Sequence, residues 1–352
     1  MRRYLIALLG FAFALARSNA LTLTEDFSTN PTGTWSFGIG DNSRTQIVWT
    51  GSALNVHYDS SRPTVRFQRP LGRTVTDTDD FKLTARFRFN SIHAPDDQFM
   101  QIAFGLVNSL LTGGDRTGSF ADFYSDNTFH SVEFSYFPNY STFFDTGPTL
   151  TPAVFGAQTA TNADAFANFA SIFGSGSDLR DNTNDVTSLP TNVTLQATLA
   201  YSGATKTLTL TVGLVDSNSV LDTGVPPLNL SASFYDTNFP FRCDALAIMA
   251  FQDGFTTTND PSLIADVQYQ RFEFILAEPP PVTINLTDSD VVLTFPTDSN
   301  VTYHVQSRTD LVMDSWSMLV TNIAGTGGVV TNIDTGAATL PAKFYRVGVT
   351  LQ

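Results

Sequence analysis

A single glutamate, Glu133, stands in the run Val132-Glu-Phe-Ser-Tyr-Phe-Pro-Asn139, and Tyr124, Tyr136, Tyr140, Phe143 and Phe144 gather around it in the chain. Sugar rings stack on aromatic faces while their hydroxyls meet polar groups, the mix of apolar wall and directed donors and acceptors that binding sites use. These residue types point to carbohydrate binding, with Glu133, Tyr136, Asn139 and Tyr140 as the candidate contacts. Thirty phenylalanines mean that most rings must be core, so one or two of the five aromatics are expected at the surface.

Glycoside hydrolysis asks for more than one acid. A retaining glycosidase places two carboxyl groups about 5 to 5.5 Å apart. Glu25, Glu133, Glu273 and Glu278 are the only glutamates; the other acids are aspartates in polar stretches, where they favour turns. The segment around Glu133 offers one carboxylate, and a pair would have to come from distant strands, for instance Glu133 with Glu273 or Asp266. Other chemistry is thinner. His57, His93, His130 and His304 never fall at metal-ligand spacing, and the nucleophile-elbow, dinucleotide and phosphate-loop patterns are missing. Asp178-Leu-Arg-Asp-Asn-Thr-Asn-Asp185 gathers oxygens without the glycine and terminal glutamate of a helix-loop-helix calcium site, and reads as a solvated loop. Cys243 is the single cysteine; with Phe241, Ala245 and Leu246 beside it, it reads as a buried structural thiol.

The elements that must position these residues are strands. Phe81-Lys-Leu-Thr-Ala-Arg-Phe-Arg-Phe89 alternates apolar or small with polar, the period of a half-buried strand. Similar runs occur at Leu21–Phe27, Thr45–Thr50, Ala53–Tyr58, Thr64–Phe67, Gln98–Val107, Ser131–Phe137, Leu228–Phe234, Ala245–Phe251 and Val267–Leu276. Leu195–Tyr201 and Thr207–Val215 form a hairpin across Ser202-Gly-Ala-Thr205. One short helix is expected over Asn162–Phe173, within a long polar stretch from Tyr140 to Leu189. Pro279 to Pro281 stiffen a linker at 277–282, and six further strand-like runs over 283–352 suggest a small second sandwich.

Residues 1–20 have the basic start, apolar run and small terminal residues of a signal peptide, so a secreted protein beginning near Leu21 is expected. No later run is long and apolar enough to cross a bilayer. The formal charge of −14 becomes −17 without that segment, which holds three arginines and no acid. Nucleic acid is therefore an unsuited partner.

Glu25-Asp-Phe27, Pro70-Leu-Gly72 followed by Asp80–Phe89, Val132–Phe137 and Val267–Leu276 together resemble the concanavalin A-like jelly-roll superfamily of legume-type lectins, laminin G-like modules and laminarinase-like hydrolases. The tail, through Tyr303–Leu311 and Phe344–Val347, resembles fibronectin III-like accessory modules of exported bacterial proteins. The lectin likeness implies a cation site on the strand of Glu133, with Phe137 and Asn139 in matching places and Asp145 as a downstream acid. The aspartate common to lectins and hydrolases is replaced by Ser135. A hard cation needs about six to eight oxygens, several of them anionic, and a serine hydroxyl is a poor substitute. No metal or other cofactor is therefore expected, with Glu133, Asn139 and Asp145 the weak calcium candidates.

The expectation is an all-β chain: signal peptide 1–20, jelly-roll sandwich 21–276, linker 277–282 and small β-sandwich 283–352. Its function is expected to be non-catalytic binding of an extracellular polysaccharide on the concave sheet face. The alternatives are a jelly-roll glycoside hydrolase or polysaccharide lyase with displaced acids, and an extracellular protein-interaction or matrix module.

Overall fold

The computed structural model describes residues 21–39, 46–59, 65–93, 100–110, 130–138, 149–155, 189–233, 241–252, 264–299, 301–311 and 315–351, less turn residues 217, 219, 223, 225 and 226. Two compact units emerge: Thr22–Leu276, and a second containing Ala277–Gln352.

The larger unit is built from β1 (Leu21–Glu25), β2 (Ser36–Ile39), β3 (Gln46–Trp49), β4 (Leu54–Asp59), β5 (Val65–Thr76), β6 (Phe81–His93), β7 (Met100–Val107), β8 (Ser131–Phe137), β9 (Thr149–Phe155), β10 (Leu195–Ser202), β11 (Thr207–Leu214), β12 (Leu228–Ser233), β13 (Arg242–Gln252) and β14 (Ile264–Leu276). One sheet has eight strands, in the order β12-β11-β10-β6-β14-β4-β3 with β1 also on β14; the other has six, β2-β5-β13-β7-β8-β9. Alternation decides which side chains enter the space between them. In β6, Phe81, Leu83, Ala85, Phe87 and Phe89 are buried while Lys82, Thr84, Arg86 and Arg88 stay half-buried. Phe104 and Phe134 of the six-stranded sheet stack at 4.5 Å between centroids, and Phe87 of the eight-stranded sheet meets each of them edge-on at 5.4 Å. Such ring pairs are worth about 0.5–1.5 kcal/mol each beyond the burial of their area. The sheets therefore pack face to face on an aromatic core, an all-β sandwich as expected. Two tyrosines buried in that core satisfy each other, Tyr58 and Tyr269 sharing a hydroxyl–hydroxyl bond of 2.8 Å.

Three local readings differ. β5 runs as one strand through Pro70 and Gly72, because Gly72 takes φ +77 and the partner β13 shifts register between Cys243 and Ala245. β2 carries no clear alternation over its four residues. β9 contains Pro152, which lacks a ladder donor and read as loop; β9 is an edge strand, where proline is tolerated. The helix expected at Asn162–Phe173 lies outside the described residues.

The smaller unit comprises β15 (Thr283–Thr287), β16 (Asp290–Pro296), β17 (Val301–Arg308), β18 (Ser317–Ala324), β19 (Val329–Asp334) and β20 (Phe344–Leu351). They form two three-stranded sheets, β15-β16-β19 and β18-β17-β20. Leu293, Phe295, Tyr303, Val305 and Val347 are among the residues of its core.

Candidate functional site

The two faces of β8 have opposite characters. Val132, Phe134 and Tyr136 point into the sandwich, whereas Ser131, Glu133 and Ser135 lie on the outer face of the six-stranded sheet. Tyr136 was expected to offer a stacking surface for sugar, but it is 0% exposed. Its ring sits 5.4 Å from that of Phe89, and its hydroxyl accepts a hydrogen bond from Leu189 N at 3.1 Å. The reason is parity: three residues beyond Glu133, a strand residue takes the opposite face. Its place in register with Val132 and Phe134 was a signal available in the sequence.

Glu133 is also fully buried. Ser131 Oγ donates to its Oε1 at 2.5 Å and Gln101 Nε2 donates to its Oε2 at 3.0 Å; Gln101 Nε2 also reaches Ser135 Oγ at 2.5 Å. Both carboxylate oxygens are thus occupied by donors, and Ser135 joins the network as a neutral acceptor. This does not fit a cation site: Ser131 and Gln101 would have to turn away, and the second acid is a serine. Among the described residues no group of three or more His, Cys, Asp or Glu is placed to hold a metal ion. Asn139, Tyr140 and Asp145 lie outside the described residues, as do Tyr124, Phe143, Phe144 and the run Asp178–Asp185.

The long-distance acid pairs do not form. Asp266 and Glu273 belong to β14 and face away from the core on the eight-stranded sheet, whereas Glu133 faces away on the other side. Packed sheets lie about 10 Å apart, so the pairs are separated by the whole sandwich. Asp266 is engaged locally, accepting from Ser91 Oγ at 2.8 Å and sharing a 2.7 Å contact with His57 Nδ1. Burial works to raise its pKa, but the bonds to His57 and Ser91 and the charge of His57 leave it below the ordinary value.

Register reveals residues that the sequence reading missed. One row across the outer face of the six-stranded sheet runs Arg66, Met249, Ala103, Ser135; the next runs Gln68, Ala247, Gly105, Glu133. Small residues thus form a floor between two polar flanks, Arg66 and Gln68 on one and the Gln101–Ser131–Glu133–Ser135 network on the other, and the whole strip is buried, none of its residues being more than 9% exposed. With strands about 4.8 Å apart, the flanks stand roughly 14 Å from each other. The floor is tight at Gly105, where a Cβ would lie 2.0 Å from the Val132 carbonyl oxygen. The only other acid in the strands of this sheet is Asp244, at the β13 register shift, whose oxygens accept from Ser109 N at 2.7 Å and Ser109 Oγ at 2.8 Å.

Burial lowers the Arg66 pKa from its ordinary value, opposed by the charge of Asp244. Cys243 is buried as expected, and burial pushes its thiol well up, which keeps it protonated and unreactive.

No protein-family model matches this chain, nor does any curated protein sequence. Among solved structures it is similar to basic winged bean lectin with Tn-antigen, at a TM-score of 0.41 and 9% identity over 74% of this chain and 100% of that one. Peanut lectin with a nine-residue peptide gives a TM-score of 0.40 and 11% identity over 74% of this chain and 98% of that one. Arcelin-5, a lectin-like defense protein from Phaseolus vulgaris, gives 0.37 and 9% over 73% and 99%.

Proposed function

We propose that the larger unit of a secreted protein binds an extracellular polysaccharide on the outer face of its eight-stranded sheet, without cleaving it. The observation that carries this reading is a polar hollow on that face, where the half-buried to exposed side chains of Thr84, Arg86, Gln196, Arg271 and Glu273 offer hydroxyl, guanidinium, amide and carboxylate groups to a ligand rich in hydroxyls. Sugar hydroxyls both donate and accept, and the hollow supplies partners for both roles. Its one acid, Glu273, is paired with Arg271 at 3.2 Å, and no second carboxylate among the described residues lines the hollow to make a nucleophile and an acid. The Glu133 network takes the place of a cation, so binding is independent of divalent metal. The smaller unit is read as an accessory module.

The test is a screen of the intact secreted chain against plant, bacterial and marine polysaccharides, with and without chelator, followed by reducing-end and unsaturated-product assays. Retention unaffected by chelator, with no product released, is the expected result. Product release would move the protein to the hydrolases or lyases; retention of a protein partner and no glycan would make it an interaction module.

A further inference from the structure

The outer face of the eight-stranded sheet carries a line of cations on a protein whose formal charge is −17 without residues 1–20. Lys82, Arg86 and Arg88 share that face of β6, and Arg271 joins them from β14. Arg271 owes its place to an irregularity. β14 shifts register against β6 between Tyr269 and Arg271, so Gln270 and Arg271 both lie outside the core, between the buried Tyr269 and Phe272. A bulge of this kind re-aims a side chain, and here it sets Arg271 directly opposite Arg86.

Like charges directly opposite each other destabilise an antiparallel pair, so this placement calls for an account. Each guanidinium is held on one side only: Arg86 Nε donates to Gln196 Oε1 at 2.9 Å, and Arg271 Nη2 donates to Glu273 Oε2 at 3.2 Å. Both Nη groups of Arg86, and Nε and Nη1 of Arg271, have no hydrogen-bond partner among the described residues. Two arginines against one glutamate leave the hollow with a net positive charge, beside the Thr84 hydroxyl and the Gln196 amide. The side chains of Arg271 and Glu273 are 44% and 36% exposed, so a ligand reaches them from solvent without rearrangement.

Building on the glycan-binding reading above, we propose that Arg86 and Arg271 form the anchoring subsite for an acidic sugar residue. Its carboxylate or sulfate ester bridges the two guanidinium groups, while its hydroxyls meet Thr84, Gln196 and Glu273. Guanidinium presents its donors as a fork suited to the paired oxygens of such an anion. The bridge replaces a repulsion across the strands with two attractions, which a neutral sugar cannot do. Lys82 and Arg88 stand one two-residue step, about 7 Å, beyond Thr84 and Arg86 on the same face, where further acidic units of a polymer would pass. Glu273 acts in both directions: it accepts from a hydroxyl, and its charge opposes the incoming anion.

The experiment measures binding of the full chain to polygalacturonate and alginate as carboxylated probes, to dextran sulfate as the sulfated probe, and to dextran and laminarin as neutral controls. Acidic probes should bind more tightly, the carboxylated and sulfated arms deciding which anion is preferred. Arg86→Gln and Arg271→Gln should each lower acidic-probe affinity about tenfold, the loss of a hydrogen bond to a charged group. Glu273→Gln, which removes the opposing charge and keeps an acceptor, should raise it severalfold. A gain does not come from misfolding, so this variant decides the matter even if an arginine variant fails to fold. Arg346→Gln removes one positive charge from the smaller unit and should leave binding unchanged. Equal binding of neutral and acidic probes overturns the acidic-sugar anchor while leaving glycan binding standing. So does acidic-probe binding that is unmoved by the three substitutions in the hollow, or that falls as far in Arg346→Gln. No binding of any polysaccharide overturns both readings.

Discussion

Removing the Glu25 carboxylate should unlock the N-terminal edge of the sandwich. Glu25 is 7% exposed and accepts three hydrogen bonds: Phe27 N to Oε1 at 3.1 Å, Trp35 Nε1 to Oε2 at 2.9 Å and Arg69 Nη1 to Oε2 at 2.8 Å. It thereby ties β1, the turn carrying Trp35 and strand β5 at one point, and it helps hold Phe27 at φ +54, a conformation uncommon for a bulky residue. In Glu25→Ala the indole N–H of Trp35, a residue 3% exposed, loses its acceptor, which costs about 1–3 kcal/mol. The Phe27 bond adds about 1 kcal/mol. Arg69 is 22% exposed and can turn to water, so its share is close to that of a surface pair, about 0–1 kcal/mol. The total is about 3 kcal/mol. Glu25→Gln keeps a carbonyl oxygen for Trp35 and turns an amide N–H toward Phe27 N, for a loss of about 1–2 kcal/mol. Arg69→Met should cost least of the three. Urea unfolding of the intact chain in a Trp316→Phe background checks the order, because Trp35 and Trp49 then report on the larger unit alone. A Glu25→Ala shift below about 0.5 kcal/mol, or an Arg69→Met loss as large as that of Glu25→Ala, would refute the reasoning by making the carboxylate idle or its ion pair the whole effect.

Gly105→Ala should destabilise the larger unit by about 3 kcal/mol or more, since the added methyl collides with the Val132 carbonyl rather than a side chain that could move; chemical denaturation measures it. His130 supplies a pH dependence. Its Nδ1 accepts from Arg242 N at 3.1 Å, which requires the neutral ring, and burial followed by the charge of Arg242 lowers its pKa from 6.5. Below that value the unfolded chain binds a proton that the folded chain refuses, so stability falls as the pH drops through 6.5 toward the lower folded pKa. His130→Asn, which retains an acceptor but does not titrate, should shrink the difference in urea midpoint between about pH 7.5 and 5.5; an unchanged difference would clear His130 of the effect.

How far the sequence could carry the fold is visible in particular strands. β6 and β14 were legible because one face is packed on rings and the other is wet, so burial writes itself as a period of two. β9 was not, because an edge strand has little need of alternation on an unpaired side and can hold Pro152. The opening Glu25-Asp-Phe27, which contributed to the family resemblance, has a physical basis in the three bonds of Glu25, although partners ten and forty-four residues away cannot be read from the chain.

The candidate site was legible only at one end. Glu133 stood out because acids are rare in apolar strands, but its neighbours were chosen by proximity along the chain, and that selects the wrong set in a sheet. Residues adjacent in sequence alternate between the aromatic core and the outer face, which is why Tyr136 left the site. Residues adjacent on the face come from other strands: Gln68 lies in the same row as Glu133 through Ala247 and Gly105, sixty-five positions away in the chain. Arg66 gave no signal, since an arginine amid Val65 and Phe67 reads as the wet side of an ordinary strand. Only register shows it beside Gly38, with its nitrogens buried and unmatched among the described residues. The same logic explains why the acids that could have made a hydrolase fail to meet. Asp266 and Glu273 share a strand face with each other and with solvent on one side of the sandwich, and Glu133 is committed to the other, so no adjustment of side chains brings them to one glycosidic bond.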